Sequence, residues 1–420
     1  MEKAMHATGE PAGDDQGWAG DTRWLRDERG RLLVGDRVLD DVVAEIGGTP
    51  CYLLDRGRIE RRVAMLRECL PASVELHYAI KANPLPELVA WLAARVDGFD
   101  VASAGELELA LAAGMSPQRI SFAGPGKSAS ELALAHAHGV LVNVESFREI
   151  GILAELGARD GTPARVALRV NLPFELRGSG MRMSGGASPF GIDSEQVPEA
   201  LAAIRAAGLA FEGFHLFAGS QCLRADAIVE AQQASYELVL GWRDLFPAPV
   251  RMLNLGSGFG IPYTIADAPL DFAPIAANLA SLAARAREDF PEARLAIEPG
   301  RYLVGEAGVY VARVIDRKVS RGQTFLVVDG GMHQHLAASG NFGQVMRRNY
   351  PVAISPARGE REIANVVGPL CTPLDLLADK AELHRAEVDD LFVVFQSGAY
   401  GRSASPRGFL SHPDVTEHIV

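Results

Sequence analysis

The stretch that decides the fold reads Leu76-His77-Tyr78-Ala79-Ile80-Lys81-Ala82-Asn83-Pro84. Apolar side chains alternate through Leu76, Tyr78 and Ile80, which predicts a buried strand, and Asn83-Pro84 then ends it. A lysine at the end of a buried strand is unusual unless its amine is paired or used chemically. Burial would lower the pKa of this amine and make it a nucleophile able to form a Schiff base. The alternative is a lysine that simply reaches solvent from the strand end.

This strand is the first of a series in which short apolar strands alternate with amphipathic helices. The predicted strands cover residues 75–79, 98–101, 120–122, 141–144, 165–170, 209–216, 252–255 and 295–298. Eight strand–helix units within roughly 250 residues are typical of a (β/α)8 TIM barrel. A doubly wound open sheet is the alternative, but such sheets rarely contain eight parallel strands in one domain.

The sequence after Gly300 has a different pattern. Apolar segments at 309–314, 324–328, 362–367 and 391–395 are separated by turns and charged residues without long helices. They predict a C-terminal antiparallel β domain. We therefore expect a disordered tail at residues 1–22, a segment at 23–48 whose short hairpin joins the β domain, a barrel at 49–305, and the β domain at 306–420.

Composition limits the function classes. The chain has 420 residues, 48% hydrophobic residues, 22% charged residues and a net charge of -12, which indicates a soluble globular protein. The negative charge argues against nucleic acid and against anionic membrane surfaces as partners. The four scattered cysteines show no metal-ligand spacing, which indicates reduced thiols. The N-terminal residues show no signal-peptide pattern. We therefore expect a cytoplasmic protein. The His333-x-His335 pair lacks a third ligand in the sequence, and we predict no metal site.

Polar or glycine-rich residues follow nearly every predicted barrel strand. In TIM barrels the active residues gather at this end of the strands. The glycines of Gly256-Ser257-Gly258, followed one strand later by Gly300-Arg301, suit a phosphate group, because backbone N–H groups can approach it and the guanidinium supplies paired donors. A tight turn alone would also explain the glycines. The candidate residues at the strand ends are Lys81, Asp100, Arg169, Phe217, Ser220, Gly256, Ser257, Gly258, Glu298, Gly300 and Arg301.

A set of ordered motifs resembles the fold-type III pyridoxal-phosphate decarboxylases, which include the diaminopimelate and ornithine decarboxylases. The motifs are Tyr78-Ala-Ile-Lys81-Ala-Asn-Pro84, Gly98-Phe-Asp-Val-Ala-Ser103, Gly256-Ser-Gly-Phe-Gly260, Glu298-Pro-Gly-Arg301, Gly368-Pro-Leu-Cys371 and Ser397-Gly-Ala-Tyr400. The segments 341–351, 368–375 and 400–412 look most similar to the exosortase-associated and glutamyl-carrier-protein decarboxylases. The resemblance implies an alanine-racemase-like arrangement of barrel and β domain and the cofactor pyridoxal 5'-phosphate.

The resemblance also implies roles for individual residues. Lys81 would carry the cofactor covalently, and Glu298 would pair with its pyridine nitrogen. Gly258, Ser220, Arg301 and Tyr400 would hold the phosphate, with Gly256 and Ser257 shaping that loop. Cys371 would protonate the substrate carbon after CO2 leaves, and in this family it reaches the site from the partner subunit of a homodimer.

The sequence departs from the family pattern at three positions. Phe217 stands where the family has a histidine that stacks on the cofactor ring, and Pro189 replaces the lysine of a Ser-Lys-Phe-Gly motif. Thr372 stands where diaminopimelate decarboxylases carry a glutamate that recognises the distal end of the substrate. Losing that carboxylate disfavours a distal ammonium group. We expect substrate contacts from Arg347, Tyr350, Thr372 and Asp375.

The sequence therefore predicts a pyridoxal-phosphate-dependent decarboxylase of an L-amino acid or of its carrier-protein-linked derivative. Diaminopimelate decarboxylase is one alternative, and an amino-acid racemase of the same fold is another. Cys371 favours decarboxylation, because the racemases use a tyrosine as their second base. A catalytically inactive binding protein is the third alternative.

Overall fold

The structure, a computed structural model, describes residues 24–342 and 347–420. The tail predicted at residues 1–22 lies outside the described residues. The chain forms two compact units. One consists of Arg62–Ile261 and Leu270–Leu303, and the other of Pro262–Pro269, Val304–Val420 and the N-terminal segment up to Arg61, each within the described residues.

The first unit is a closed parallel barrel. Its eight strands in the described residues are Val74–Ala79, Gly98–Val101, Ile120–Phe122, Leu141–Val144, Arg165–Asn171, Ala210–Leu216, Met252–Asn254 and Arg294–Ile297. Each strand pairs with the next in the chain, and the last returns to the first through Leu295 opposite Val74. The predicted (β/α)8 barrel is confirmed, with strand bounds within one residue of the predicted ones.

Helices alternate with these strands because the sequence supplies both apolar stripes and capping residues. The helices are Arg56–Cys69, Pro86–Ala93, Ala104–Ala112, Ala129–His138, Phe147–Asp160, Val197–Ala206, Ala225–Leu240, Ala273–Asp289 and the single turn Arg301–Val304. Ser128 shows the capping chemistry: its hydroxyl accepts from the backbone N–H of Glu131, whose carboxylate accepts from the N–H of Ser128. This reciprocal capping box satisfies two backbone donors at the start of the helix.

The second unit is a β domain. Its strands are Cys51–Leu54, Gly308–Ser320, Gln323–Val328, Val352–Ser355, Arg361–Val367, Leu376–His384, Leu391–Val394 and Thr416–Ile419. The predicted antiparallel domain is confirmed, with two exceptions. Gln323–Val328 runs parallel to Arg361–Val367, and Cys51–Leu54 runs parallel to Thr416–Ile419.

The N-terminal segment contributes to this β domain in two ways. Cys51–Leu54 pairs antiparallel with Gly308–Ser320, although it falls in the range predicted for the barrel. The hairpin of Leu33–Val34 and Arg37–Val38 forms its own two-stranded sheet. It joins the domain through side chains, because Leu32 and Val34 share an apolar core cluster with Leu53 and Val309.

Candidate active site at the strand ends of the barrel

Lys81 lies in the 3₁₀ turn Ile80–Ala82 that directly follows the first barrel strand. Its Nζ donates to Asp100 Oδ2 at 3.2 Å. The lysine side chain is 40% exposed, whereas that of Asp100 is fully buried. Burial and the charge of Glu298 raise the pKa of Asp100, against the opposing effect of Lys81. With this exposure, the amine of Lys81 is not strongly desolvated, as it would be in a closed pocket. It is accessible and is paired with a carboxylate.

Glu298 is the buried carboxylate at the centre of the site. His215 Nε2 lies 2.8 Å from its Oε1, and Asn254 Nδ2 donates to its Oε2 at 2.9 Å. Burial opposes ionisation, but His215, Lys81 and Asn254 together outweigh it and lower the pKa of Glu298 to about 2. Glu298 is therefore an anion at neutral pH, held by two side chains from neighbouring strands.

The segment Gly256-Ser257-Gly258, which we call the glycine loop, has a backbone conformation and packing that depend on the absence of side chains at its two glycines. Gly256 and Gly258 have φ values of 64° and 73°, which glycine adopts without strain. A Cβ on Gly256 would lie 2.7 Å from Phe217 Cδ2, and one on Gly258 would lie 2.8 Å from Gly219 O. The loop thus packs directly against the loop that follows the sixth strand.

Hydrogen bonds hold the glycine loop in this position. The N–H of Gly256 donates to Asn254 Oδ1 at 2.8 Å, and Ser257 Oγ donates to Glu298 O at 3.2 Å. Asn254 therefore joins the loop to the buried carboxylate. A small cavity beside the loop is lined by Gly219, Ser257 and Gly258 among other residues.

The other predicted residues of the barrel surround this centre. Lys81 Nζ lies 5.8 Å from the ring centroid of Phe217, which is half-buried. Ser220 lies in the short strand Gly219–Cys222 next to the glycine loop. Gly300 allows close packing, because a Cβ there would lie 2.9 Å from Ala82 Cβ in the lysine turn. Arg301 follows it at the start of the helix Arg301–Val304.

Arg169 belongs to a buried network of charges. Its Nη1 donates to Glu145 Oε1 at 2.7 Å, and its guanidinium lies 5.1 Å from the ring centroid of Phe190. Lys127 Nζ donates to Glu149 Oε1 at 3.1 Å and lies 4.0 Å from Glu145. Burial opposes ionisation of Glu145, but Arg169 and Lys127 outweigh it and lower its pKa. The network fixes the direction of Arg169.

Sequence reasoning missed part of this centre. It gave no role to His215, which contacts Glu298, and none to Asn254, Glu145 or Lys127. The available signal was the strand pattern: Asn254 is a polar residue in the apolar strand Met252–Asn254. In a closed barrel a polar residue on a buried strand has to find a partner inside.

The remaining predicted site residues lie in the β domain. Cys371 is exposed and Thr372 half-buried, whereas Asp375 is buried with 2% exposure. Asp375 Oδ1 accepts from the N–H of Met332 at 2.6 Å, and its Oδ2 accepts from the N–H of Leu370 at 2.9 Å. Burial raises the pKa of Asp375, against these two hydrogen bonds. Tyr400 is half-buried with a φ of 54°.

Arg347 and Tyr350 have structural partners within the β domain. Arg347 donates to Ser339 O at 2.9 Å and also to Leu376 O. Tyr350 is buried, and its ring centroid lies 4.8 Å from that of Tyr263. Their predicted substrate contacts stay a prediction. Among the described residues, no three His, Cys, Asp or Glu side chains form a group suited to a metal ion.

Comparison with known proteins adds a family relationship. Residues 56–305 match the family described as pyridoxal-dependent decarboxylase, pyridoxal binding domain. The chain is 38% identical to the L-glutamyl-[BtrI acyl-carrier protein] decarboxylase of Niallia circulans, with 88% of each chain covered. It is 28% identical to the 2-[(L-alanin-3-ylcarbamoyl)methyl]-2-hydroxybutanedioate decarboxylase of Staphylococcus aureus, over 90% of this chain and 95% of that one.

A solved structure gives the same relationship for the fold. The diaminopimelate decarboxylase of Helicobacter pylori, crystallised with L-lysine, superposes with a TM-score of 0.81 at 26% identity. The match covers 91% of this chain and 94% of that one. Separately, no helix within the described residues has the length and apolar character that crossing a membrane requires.

Proposed function

The chain belongs to the pyridoxal-dependent decarboxylases, and from this premise we propose that its substrate is an amino acid linked to a carrier protein, with carrier-bound L-glutamate as the best candidate. The enzyme is a pyridoxal-phosphate-dependent carboxy-lyase of an amino acid or amino-acid derivative. The similarity to the L-glutamyl-carrier-protein decarboxylase, 38% identity over 88% of both chains, carries the choice of substrate.

The residues of the barrel fit pyridoxal phosphate. Lys81 offers an accessible amine, and the ionised Glu298 can hold a proton on a pyridine nitrogen. Backbone N–H groups of the segment Gly256-Ser257-Gly258, together with Ser220 and Arg301, would hold the phosphate group. When bound, the pyridoxal group supplies an electron sink for the electron pair left behind by CO2.

The surrounding residues tune this chemistry. His215 and Asn254 fix the Glu298 carboxylate, so that it stays ionised and points in one direction. The carboxyl group of Asp100 accepts a hydrogen bond from the amine of Lys81 and holds it in place. Phe217 offers an apolar face but no proton, so a proton for the substrate carbon has to come from another group. We assign that step to the thiol of Cys371, which is exposed on the β domain.

Measurement of CO2 release tests the substrate. The cofactor-loaded protein is offered the γ-glutamyl thioester of N-acetylcysteamine, a mimic of the carrier arm, alongside free glutamate, ornithine, lysine and diaminopimelate. We expect kcat/KM to be highest for the thioester. Lys81→Ala controls for cofactor-dependent release and should abolish it. A higher kcat/KM for any of the free amino acids would contradict the carrier-linked substrate.

We further propose a homodimer with shared active sites. The support is the family resemblance and the position of Cys371 in the β domain, whereas Lys81 lies in the barrel. Mixing Lys81→Ala protein with Cys371→Ala protein tests it, because subunit exchange gives hybrid dimers with one intact site. Mixed protein should regain about a quarter of the wild-type activity. No recovery after proven subunit exchange would contradict shared sites.

We also propose a cytoplasmic location. All four cysteines fall in the described residues and have free thiols, as expected for a protein of a reducing compartment. Fractionation of the native host, followed by immunodetection, checks this proposal.

A further inference from the structure

Glu145 is a buried carboxylate of the barrel to which the proposed chemistry gives no role. It directly follows the fourth barrel strand, Leu141–Val144, and its side chain is 1% exposed. The residues that follow the strands of a TIM barrel lie at the face that carries the active site. A buried charge is costly unless it is paired and hydrogen-bonded. The partners of Glu145 therefore indicate what it contributes to this face.

Both oxygens of Glu145 accept hydrogen bonds from loops of the neighbouring strands. Its Oε1 accepts from the N–H of Gly124 at 2.6 Å, and its Oε2 accepts from the N–H of Gly191 at 3.0 Å. Gly124 follows the third strand, Ile120–Phe122. Gly191 ends the segment 172–191, which follows the fifth strand. The Glu145 carboxylate thus joins the loops that follow three consecutive strands.

Glu145 also holds the guanidinium of Arg169, near the end of the fifth strand. Arg169 Nη1 donates to Glu145 Oε1 at 2.7 Å, and within the described residues this is the only hydrogen bond of the guanidinium. An arginine has five N–H donors, so further donors are available to a ligand. In the strand pairing Arg169 lies beside His215, which contacts Glu298. Arg169 is therefore at the level of the buried carboxylate in the centre of the site.

The segment that Glu145 holds also contacts Arg169. The ring centroid of Phe190, the residue before Gly191, lies 5.1 Å from the guanidinium. This distance is within the range of a cation–π contact. Glu145 thus acts on Arg169 directly, through a hydrogen bond, and indirectly, through the segment that carries Phe190.

Lys127 and Glu149 complete a cluster of charges around Glu145. Lys127 Nζ lies 4.0 Å from Glu145 Oε1 and donates to Glu149 Oε1 at 3.1 Å. The backbone N–H of Glu145 donates to Glu149 Oε2 at 2.8 Å. With Arg169, two cations therefore face two carboxylates. Such a buried network is rigid, because each charge depends on its partners in the low dielectric of the interior.

We propose that Glu145 is a positioning residue of the cofactor site, which holds Arg169 so that the remaining N–H groups of its guanidinium bind an anionic oxygen of pyridoxal phosphate. This inference rests on the proposed function, since it takes Arg169 as a residue that contacts the cofactor. Glu145 itself contacts the loops and Arg169, and its effect on the cofactor is transmitted through them.

The affinity for pyridoxal phosphate tests this inference in the absence of substrate. Absorbance titration of the cofactor-free, full-length protein gives the Kd. Glu145→Gln keeps the shape of the side chain but places an amide NH2 group where one carboxylate oxygen accepts. We expect the Kd to rise about tenfold in Glu145→Gln, the loss of one charge-assisted hydrogen bond, and at least tenfold in Arg169→Met.

The double variant separates positioning from a general structural effect. If Glu145 acts through Arg169, adding Glu145→Gln to Arg169→Met should change the Kd by less than about twofold, because the guanidinium that Glu145 positions is already absent. Phe190→Leu gives a second test that does not depend on the folding of Glu145→Gln. It should raise the Kd about threefold in the wild-type background and have no effect in Arg169→Met.

Glu212 provides the matched control at the opposite end of the same strand. It accepts from Arg165 Nε at 3.2 Å, and Arg165 is the first residue of the strand Arg165–Asn171, in which Arg169 is the fifth. Glu212→Gln removes a carboxylate from an arginine as Glu145→Gln does. Both variants should lower the melting temperature of the cofactor-free protein, but Glu212→Gln should leave the Kd for pyridoxal phosphate unchanged.

Each outcome supports or overturns the inference. An unchanged Kd in Glu145→Gln or in Arg169→Met would overturn it. Equal fold-changes from Glu145→Gln in the wild-type and Arg169→Met backgrounds would show a structural role and would also overturn it. If the wild type prefers a free amino acid over the thioester, the proposed substrate fails but this inference stands, because the Kd is measured without substrate.

Discussion

The contact between His215 and Glu298 gives a prediction whose magnitude follows from the structure. Glu298 has a pKa of about 2, compared with 4.5 for an ordinary glutamate. One pKa unit corresponds to about 1.4 kcal/mol, so this difference amounts to about 3 kcal/mol of folding free energy at neutral pH. After burial, which opposes it, His215 is the largest contribution to the difference. Replacing His215 should therefore remove most of this stabilisation.

The sign of the pH dependence follows from the lowered pKa. A carboxyl group whose pKa is lower in the folded state stabilises the fold above its unfolded pKa, near 4.5. This stabilisation is lost as the pH falls from about 4.5 through about 2. In His215→Leu the pKa of Glu298 rises, because a buried anion has lost a partner. The variant and the wild type should therefore differ most at pH 6 and above, and should converge as the pH falls below about 4.

Urea unfolding of the cofactor-free protein measures this effect. At pH 7 we expect His215→Leu to lose about 2–3 kcal/mol of the free energy of unfolding. Glu298→Gln is the matched background, since it removes the charge that His215 stabilises. In Glu298→Gln, the further change His215→Leu should cost about 1 kcal/mol or less. A cost that is the same in both backgrounds, or that does not depend on pH, would refute this account of the pair.

Three other predictions concern the glycine loop, the proton donor and a helix cap. Gly258→Ala places a Cβ against Gly219 O at a residue with positive φ. This variant should lower the free energy of unfolding by about 1–2 kcal/mol. It should also weaken pyridoxal phosphate binding, measured by an absorbance titration. Gly126→Ala, where a Cβ meets nothing within 4 Å, is the control and should change neither quantity. Cys371→Ala should lower kcat about 100-fold with little change in KM, whereas the exposed Cys69→Ala should leave both unchanged. Ser128→Ala removes a helix cap and should lower the free energy of unfolding by about 1 kcal/mol in urea.

Each of these predictions has a contradicting outcome. Unchanged cofactor affinity in Gly258→Ala would show that the loop does not border the phosphate. Unchanged kcat in Cys371→Ala would exclude the thiol as the proton donor. Full stability in Ser128→Ala would show that the capping box contributes nothing measurable.

The order of the barrel strands could be predicted from sequence because each strand is a local signal. An apolar run ends in polar or glycine residues, and a helix with its own cap follows. Parallel strands joined by helices leave few possible topologies. The same regularity placed Lys81, Asp100, Gly256 and Glu298 at one end of the barrel, since parallel strands end on the same side.

The β domain was less predictable because its pairings are distant in the chain. Cys51–Leu54 pairs with Gly308–Ser320, and neither segment indicates its partner. A strand signal is local, whereas backbone pairing is decided by which edges remain open after the rest of the sheet has formed. The sequence predicted that the segment 23–48 joins this domain, but it did not predict that Cys51–Leu54 would pair with Gly308–Ser320.

The sequence by itself determined the barrel and the family, since these depend on periodicity and on short motifs, and the same motifs predict which residues bind the cofactor. Only the tertiary structure decided how those residues are held. It showed that His215 and Asn254 keep Glu298 ionised, and that both carboxylate oxygens of Asp375 accept from backbone N–H groups. Hydrogen-bond partners and desolvation depend on which groups approach in space, and a local pattern does not contain that information.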